Sequence, residues 1–204
     1  MKFKYHLSVC KENRLESSLK KKKESLASRW LQLKETIIEK YDNRFREAFP
    51  TYTEKLSLHG KQGRFFFSSI ISQELMEDLG SQEIFLLLAG SYLHDIGNIS
   101  ESPPYRATDH ESHFELGQNF IRNKTDFLSL SKEEREVIGK LCRWHNYDYW
   151  LKHEVPKEND VKINEERVRV QLLIELLQLS DFYHHVFDLT WQNSRADARK
   201  KQYV

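Results

Sequence analysis

An imidazole and a carboxylate stand side by side at His94-Asp95, where the apolar run Ile84-Phe85-Leu86-Leu87-Leu88-Ala89 has led into them. That run is apolar on every side, which predicts a buried helix over residues 82–95. Gly97, just beyond the pair, is suited to closing it. An imidazole and a carboxylate are costly to bury unless paired, hydrogen-bonded or bound to a metal. Metal coordination uses both at once. Three more positions put His or Asp where helical periodicity expects an apolar residue: His113, His145 and Asp181. Asp181 follows Ile174 and Leu177 on the inward side of its helix. One inward histidine is ordinarily a hydrogen-bonded core residue. Four helices each delivering such groups converge most economically on a divalent cation, whose charge offsets their desolvation.

The elements that must position these groups read as helices throughout. Leu15, Leu19, Leu26, Trp30, Leu33, Ile37 and Tyr41 recur at three- and four-residue steps, predicting one long amphipathic helix over residues 14–47. Lys22 alone falls on its stripe, and the run Lys20 to Lys23 reads as a solvated face, with a phosphate or membrane contact as the alternative. Pro50 ends that helix, residues 51–62 form a loop, and a second helix spans 63–79 up to Gly80. After the His-Asp pair comes a loop at 97–108 containing Pro103-Pro104. Thr108 to Glu111 and Ser131 to Glu134 are capping boxes opening the helices that carry His113 and His145. Residues 150–164 are polar, contain Pro156 and read as a surface loop, and a last helix runs from Glu165 through Asp181.

Composition agrees with an all-α fold: the 204 residues include only seven Gly and four Pro. Charged residues make up 31% and nearly cancel, leaving a formal net charge of +1. That balance gives no support to wholesale nucleic-acid binding. Two cysteines, Cys10 and Cys142, make no disulfide framework and fit a reducing compartment. With no signal peptide and no membrane-length apolar run, the expectation is a cytoplasmic protein without a membrane partner. The expected divisions are an N-terminal helical extension over 1–49, a main domain over 50–190 and a C-terminal connector over 191–204 that continues into further chain.

Leu93-His94-Asp95-Ile96-Gly97, His113-Phe-Glu-Leu-Gly117, Trp144-His145-Asn146 and Leu179-Ser180-Asp181 occur in an order that resembles the HD-domain superfamily of metal-dependent phosphohydrolases. The resemblance implies an HD-domain-like helical bundle preceded by the long amphipathic helix. It implies that His94 and Asp95 ligate a divalent metal (Mn, Fe, Ni, Co, Mg or Zn), with Asp181 closing the site. His113 and His145 then hold a second metal or contact phosphate, and His110 competes with His113. The family's first ligand is a histidine opening the preceding helix. His59 is the residue available for it, while alignment on the apolar stripe through Phe67 and Ile70 puts that position at Gly63, which cannot ligate. The lead-in Phe49-Pro-Thr-Tyr-Thr is also similar to HD modules at the front of large bacterial Hsp90-type ATPases.

The activity implied is hydrolysis of a phosphorylated small molecule, a nucleotide above all. The metal acts as Lewis acid and lowers the pKa of a water. Asp95, Arg106 and His113 form the implied catalytic group. Arg106 is the first phosphate clamp, with Arg143, Lys124 and His184 as further substrate contacts, and the cations are each equally at home in surface salt bridges. Asn98 and Asp109 are second-layer partners, with a helix cap the alternative for Asp109. Tyr147, Tyr149 and Trp150 offer faces for a nucleobase or cover the core. Two rivals stand beside this: an HD module weakened at its first ligand that senses a ligand or mediates assembly, and a nuclease, which the neutral charge disfavours.

Overall fold

The computed structural model describes residues 13–48, 67, 69–99, 112–123, 130–146 and 157–183. Within them the chain is an all-α bundle with one small hairpin. In chain order come α1 (Arg14–Lys22), α2 (Glu24–Ala48), α3 (Gln73–Asp78), α4 (Ser81–Leu93), a 3-10 turn (Ile96–Ile99), α5 (Ser112–Asn123), α6 (Lys132–Trp144), β1 (Val161–Ile163), β2 (Glu166–Val168) and a helix over residues 170–183, here α7.

α4 is the axis. All thirteen of its residues are buried, as expected of a helix with no polar side. α1 and α2 cover one flank and α6 another, while α5 packs on α6 and on the 3-10 turn. The long N-terminal helix of the sequence reading is two helices. Lys23 is extended, at φ −159° and ψ 97°, and its N–H donates to the Leu19 carbonyl to close α1. The break falls beside Lys22, where the stripe was interrupted, and it lets both Leu15-Leu19 and Leu26-Trp30-Leu33-Ile37 face the same core. Lys20, Lys21 and Lys22 are exposed, whereas Lys23 turns inward to Glu166 at 2.9 Å.

Two other expectations are corrected. The helix expected up to residue 79 is interrupted at Ile71-Ser72, where the Ser72 hydroxyl accepts the Leu75 N–H at 3.2 Å and caps a separate α3. The stretch expected as loop and helix start is an antiparallel hairpin, with Val161 opposite Val168 and Ile163 opposite Glu166. Asn164 and Glu165, at φ 49° and 65°, form its two-residue turn. Its buried residues Ile163 and Val168 join the core, so α7 starts five residues later than its pattern implied.

Carboxylates anchor the N-terminal end of α4. Glu134, fully buried, accepts two bonds from Arg29 at 3.0 and 2.6 Å and one from Gln82 at 2.7 Å. It also accepts the Ser131 N–H at 2.7 Å, so the expected capping box forms and does more than cap. Glu83 pairs with Arg169 at 2.7 Å, and Glu166 accepts from Ser81, the Gln82 N–H and Lys23. Burial works to raise both carboxyls, and these bonds outweigh it and hold them below the usual range. No helix among the described residues is long and apolar enough to cross a membrane.

Candidate metal centre

The C-terminal end of α4 carries the His-Asp pair. α4 ends at Leu93, and the His94 N–H still donates to the Gly90 carbonyl at 2.9 Å, so His94 leaves the helix in helical geometry. The Asn98 N–H bonds to the Asp95 carbonyl at 3.1 Å and starts the 3-10 turn. Gly97 does not close a helix in the left-handed conformation, since no glycine among the described residues has positive φ. Its role is close approach. A β-carbon there would lie 1.8 Å from the His113 carbonyl oxygen and 2.6 Å from the Gly117 nitrogen. The glycines of His94-Asp-Ile-Gly97 and His113-x-x-x-Gly117 thus meet and bring α5 against the turn.

That contact carries His113 to Asp95. The His113 Nε2 is 3.4 Å from Asp95 Oδ1, and the His145 Nε2, from just beyond α6, is 3.4 Å from the same oxygen. The other carboxylate oxygen, Oδ2, faces the His94 Nε2 at 3.7 Å, and Asp181 Oδ1 on α7 approaches that nitrogen to 3.6 Å. Asp95 therefore stands between two histidine groups, one oxygen toward each. Of the residues expected to converge on a cation, His94, Asp95 and His145 each place a donor atom within 4.8 Å of the others. His94, His113, His145 and Asp181 are all buried, at 3 to 6% exposure, while the Asp95 side chain keeps 22%.

Backbone carbonyls set the tautomers. His94 Nδ1 lies 3.3 and 3.2 Å from the carbonyls of Gly90 and Ser91, and His145 Nδ1 lies 2.8 Å from that of Cys142. A carbonyl only accepts, so each Nδ1 carries a hydrogen and each Nε2 is left to face the carboxylates. A neutral imidazole turns a lone pair to those oxygens, and the two repel unless a proton or a metal cation stands between them. Burial pushes the His94 imidazole down, but the charges of Asp95 and Asp181 and the Asp181 hydrogen bond lift it to about 9. Burial pushes His145 below its usual value, with the His94 charge adding to the effect. The metal-free cluster thus favours an extra proton at His94, while burial disfavours one at His145.

These residues fit a divalent metal. Donors bound at about 2.1 Å around one ion sit roughly 3.0–3.4 Å apart, and the nitrogen–oxygen contacts of the carboxylates here, at 3.4 to 3.7 Å, are of that order or slightly wider. Imidazole and carboxylate suit the middle and late first-row metals, and Nδ1–H bonds to carbonyls are the usual outer support of metal-binding histidines.

Arg143 lies away from this cluster, bonded to Gln118 and Glu115 at 3.0 Å each and stacked over Trp144. Cys142 is buried beside the cluster, its thiol donating to the Leu93 carbonyl at 3.2 Å and pushed up by burial. Asn98 is half-buried in the 3-10 turn. His59, Gly63, Arg106, Asp109, His110, Lys124, Tyr147, Tyr149, Trp150 and His184 lie outside the described residues. The sequence reading passed over Gln178, a buried amide on the inward stripe between Ile174 and Asp181 that bonds to the Trp144 carbonyl at 2.7 Å. A polar residue on that stripe was the signal for it.

Searches of curated proteins and of solved structures returned no significant match. One family model, HD-CE, matches residues 65–184, which take in α3 to α7 and all five residues of the cluster. A match over more than half of the chain, with the His-Asp pair at its centre, places this protein in the HD-CE family, and its domain is of the HD type.

Proposed function

We propose that this domain is a metal-dependent phosphohydrolase acting on a nucleotide or a similar phosphate ester, with His94, Asp95, His113, His145 and Asp181 as metal ligands. The observation that carries the reading is the meeting of three imidazole Nε2 atoms and two carboxylates, with two of the Nδ1 atoms already committed to backbone carbonyls. A bound divalent metal supplies a Lewis acid for a phosphoryl oxygen and lowers the pKa of a water.

The chain's own residues then have distinct tasks. Asp95, with an oxygen toward each histidine group, serves as the shared ligand, and its partial exposure marks the side from which substrate enters. His113 stands at the first turn of α5, seven residues after Arg106 in the sequence, and is the histidine proposed to meet phosphate. Arg106, Lys124 and His184 are the proposed phosphate contacts, and His59 the proposed additional ligand. The nucleotide part of the reading rests on Tyr147, Tyr149 and Trp150, which follow His145 and offer faces for a base. Arg143, held by Glu115 and Gln118, is given the lesser task of fixing α5 on α6.

The test is metal analysis of the purified protein together with phosphate release from nucleotides and simple esters under manganese, nickel or cobalt. Chelator-sensitive release that disappears in His94→Ala and Asp95→Ala is the expected result. If both variants retained as much metal as the parent, the ligand assignment would be wrong. Stoichiometric nucleotide binding with no phosphate released would reassign the site to ligand sensing.

A further inference from the structure

The five residues of the cluster come from four separate elements, and their spacing depends on how those elements are tied together. His94 and Asp95 share one segment, and the Gly97–Gly117 contact fixes α5 against it. α6 and α7 share the apolar core, and a polar tie joins them near the cluster, where His145 follows the last residue of α6 and Asp181 sits near the end of the described part of α7. The Gln178 carboxamide supplies it. Its Nε2 donates to the Trp144 carbonyl at 2.7 Å, and the amide is 6% exposed. Trp144 directly precedes His145, and its carbonyl is one of the four that end α6 without an intrahelical donor. Gln178 is one turn before Asp181 and on the same inward face of α7. A short bond thus joins the backbone beside one cluster residue to the helix turn that carries another.

We infer that Gln178 is a positioning residue of the metal centre, holding the C-terminus of α6 to α7 so that His145 and Asp181 stay within reach of the His94-Asp95 pair. The inference rests on the metal-centre reading and assigns Gln178 no contact with metal or substrate. Its reach is what matters. Gln178→Met keeps most of the volume but has no donor, and Gln178→Asn keeps the donor one methylene short of the carbonyl.

The experiment is titration of the metal-free full chain with cobalt(II), following its visible absorption, alongside thermal unfolding of the same metal-free samples. Both variants are expected to bind cobalt about 10- to 100-fold more weakly, the range typical of lost outer support. At saturation their absorption should differ in shape from the parent's, because the donors are no longer held at the same spacing. Leu173→Ala, which loosens the α7 core without touching the amide, is the control, and it should keep the parent's spectrum at saturation. If either variant folds and reproduces the parent's affinity and spectrum, Gln178 does not position the site. If Leu173→Ala loses as much affinity for the same fall in unfolding temperature, Gln178 acts through stability alone and the inference is overturned. A parent that binds no cobalt at all would instead remove the metal-centre reading itself.

Discussion

Gly97→Ala tests whether the approach of α5 to the His-Asp segment builds the site. The added β-carbon would stand 1.8 Å from the His113 carbonyl oxygen, and ordinary contact begins at 3.4 Å, so α5 must retreat by about 1.6 Å along that line. The obstacles, the His113 carbonyl and the Gly117 nitrogen, are backbone atoms and cannot swing aside. Because His113 itself is pushed, its 3.4 Å approach to Asp95 opens toward roughly 5 Å, too far for both to hold one ion. Overpacking of this kind costs about 1–3 kcal/mol, and rigid obstacles put this case near 3. In a chain of this size that corresponds to a fall of roughly 6–12 °C in Tm. Gly90→Ala is the internal comparison. Its β-carbon would meet the Cδ1 of Leu141 at 2.7 Å, the tip of a side chain that can rotate. Alanine there also recovers about 1 kcal/mol of helix propensity, so the net change should stay within about 1 kcal/mol. Calorimetry of the metal-free variants and cobalt titration of each give the two readouts. Equal falls in Tm, or a Gly97→Ala protein that keeps the parent's Tm and metal affinity, would refute the close-approach argument.

Other consequences follow from the same geometry. Metal must displace the proton that His94 holds up to a pKa of about 9, so apparent affinity should rise about tenfold per pH unit up to that value and then level off. The same proton stabilises the metal-free fold fully below the ordinary histidine value of 6.5, and that contribution disappears as pH climbs through about 9. The Tm of the metal-free protein should therefore fall over this window while the gain on adding metal grows; a flat affinity profile would contradict both. Asp95→Asn removes the carboxylate that faces all three histidines and should abolish metal retention, whereas His113→Ala leaves the His94-Asp95-His145 group and should keep metal, and elemental analysis after dialysis distinguishes the two patterns. Glu134→Ala removes the acceptor for Arg29, Gln82 and the Ser131 N–H together, and denaturant unfolding should register a loss of about 3 kcal/mol. Cys142, whose thiol is buried and held well above the ordinary pKa range, should resist alkylation until the protein is unfolded, as peptide mapping after iodoacetamide will show.

The all-α class and the buried central helix were legible because long periodic runs and an all-round apolar segment leave few alternatives. What was not legible were the interruptions. The N-terminal helix breaks at Lys23, which also pairs with Glu166, and the one local sign of it was the interruption of the apolar stripe at Lys22. The hairpin at residues 161–168 has three-residue strands with one buried residue each, too short for an alternating pattern to stand out from a polar loop. Gly97 showed itself as a glycine after a helix, and its cause, the backbone of α5 passing within a β-carbon's reach, exists only in three dimensions. For the site, His or Asp at inward positions was a dependable signal, because a buried ionisable group needs a partner. Whether His145 would share donors with His94 and Asp95 or pair with His113 at a second metal or phosphate was left open, since it depends on where α6 ends relative to α4.

The two ends of α4 explain why the cluster sits where it does. A helix buried on all sides can deliver polar groups only at its termini, and both termini here carry carboxylates. At the N-terminal end they meet arginine and lysine: Glu134 with Arg29, Glu83 with Arg169, Glu166 with Lys23. Those pairs bring a permanent positive charge with them, so that end is complete as folded. At the C-terminal end Asp95 and Asp181 meet imidazoles instead. An imidazole whose Nδ1 hydrogen already goes to a carbonyl can offer positive charge only by taking a second proton, and burial opposes that proton at His145. One end of the helix is closed by charges the chain supplies permanently, whereas at the other the positive charge is exchangeable, a proton on His94 or, on the proposed function, a divalent cation in its place.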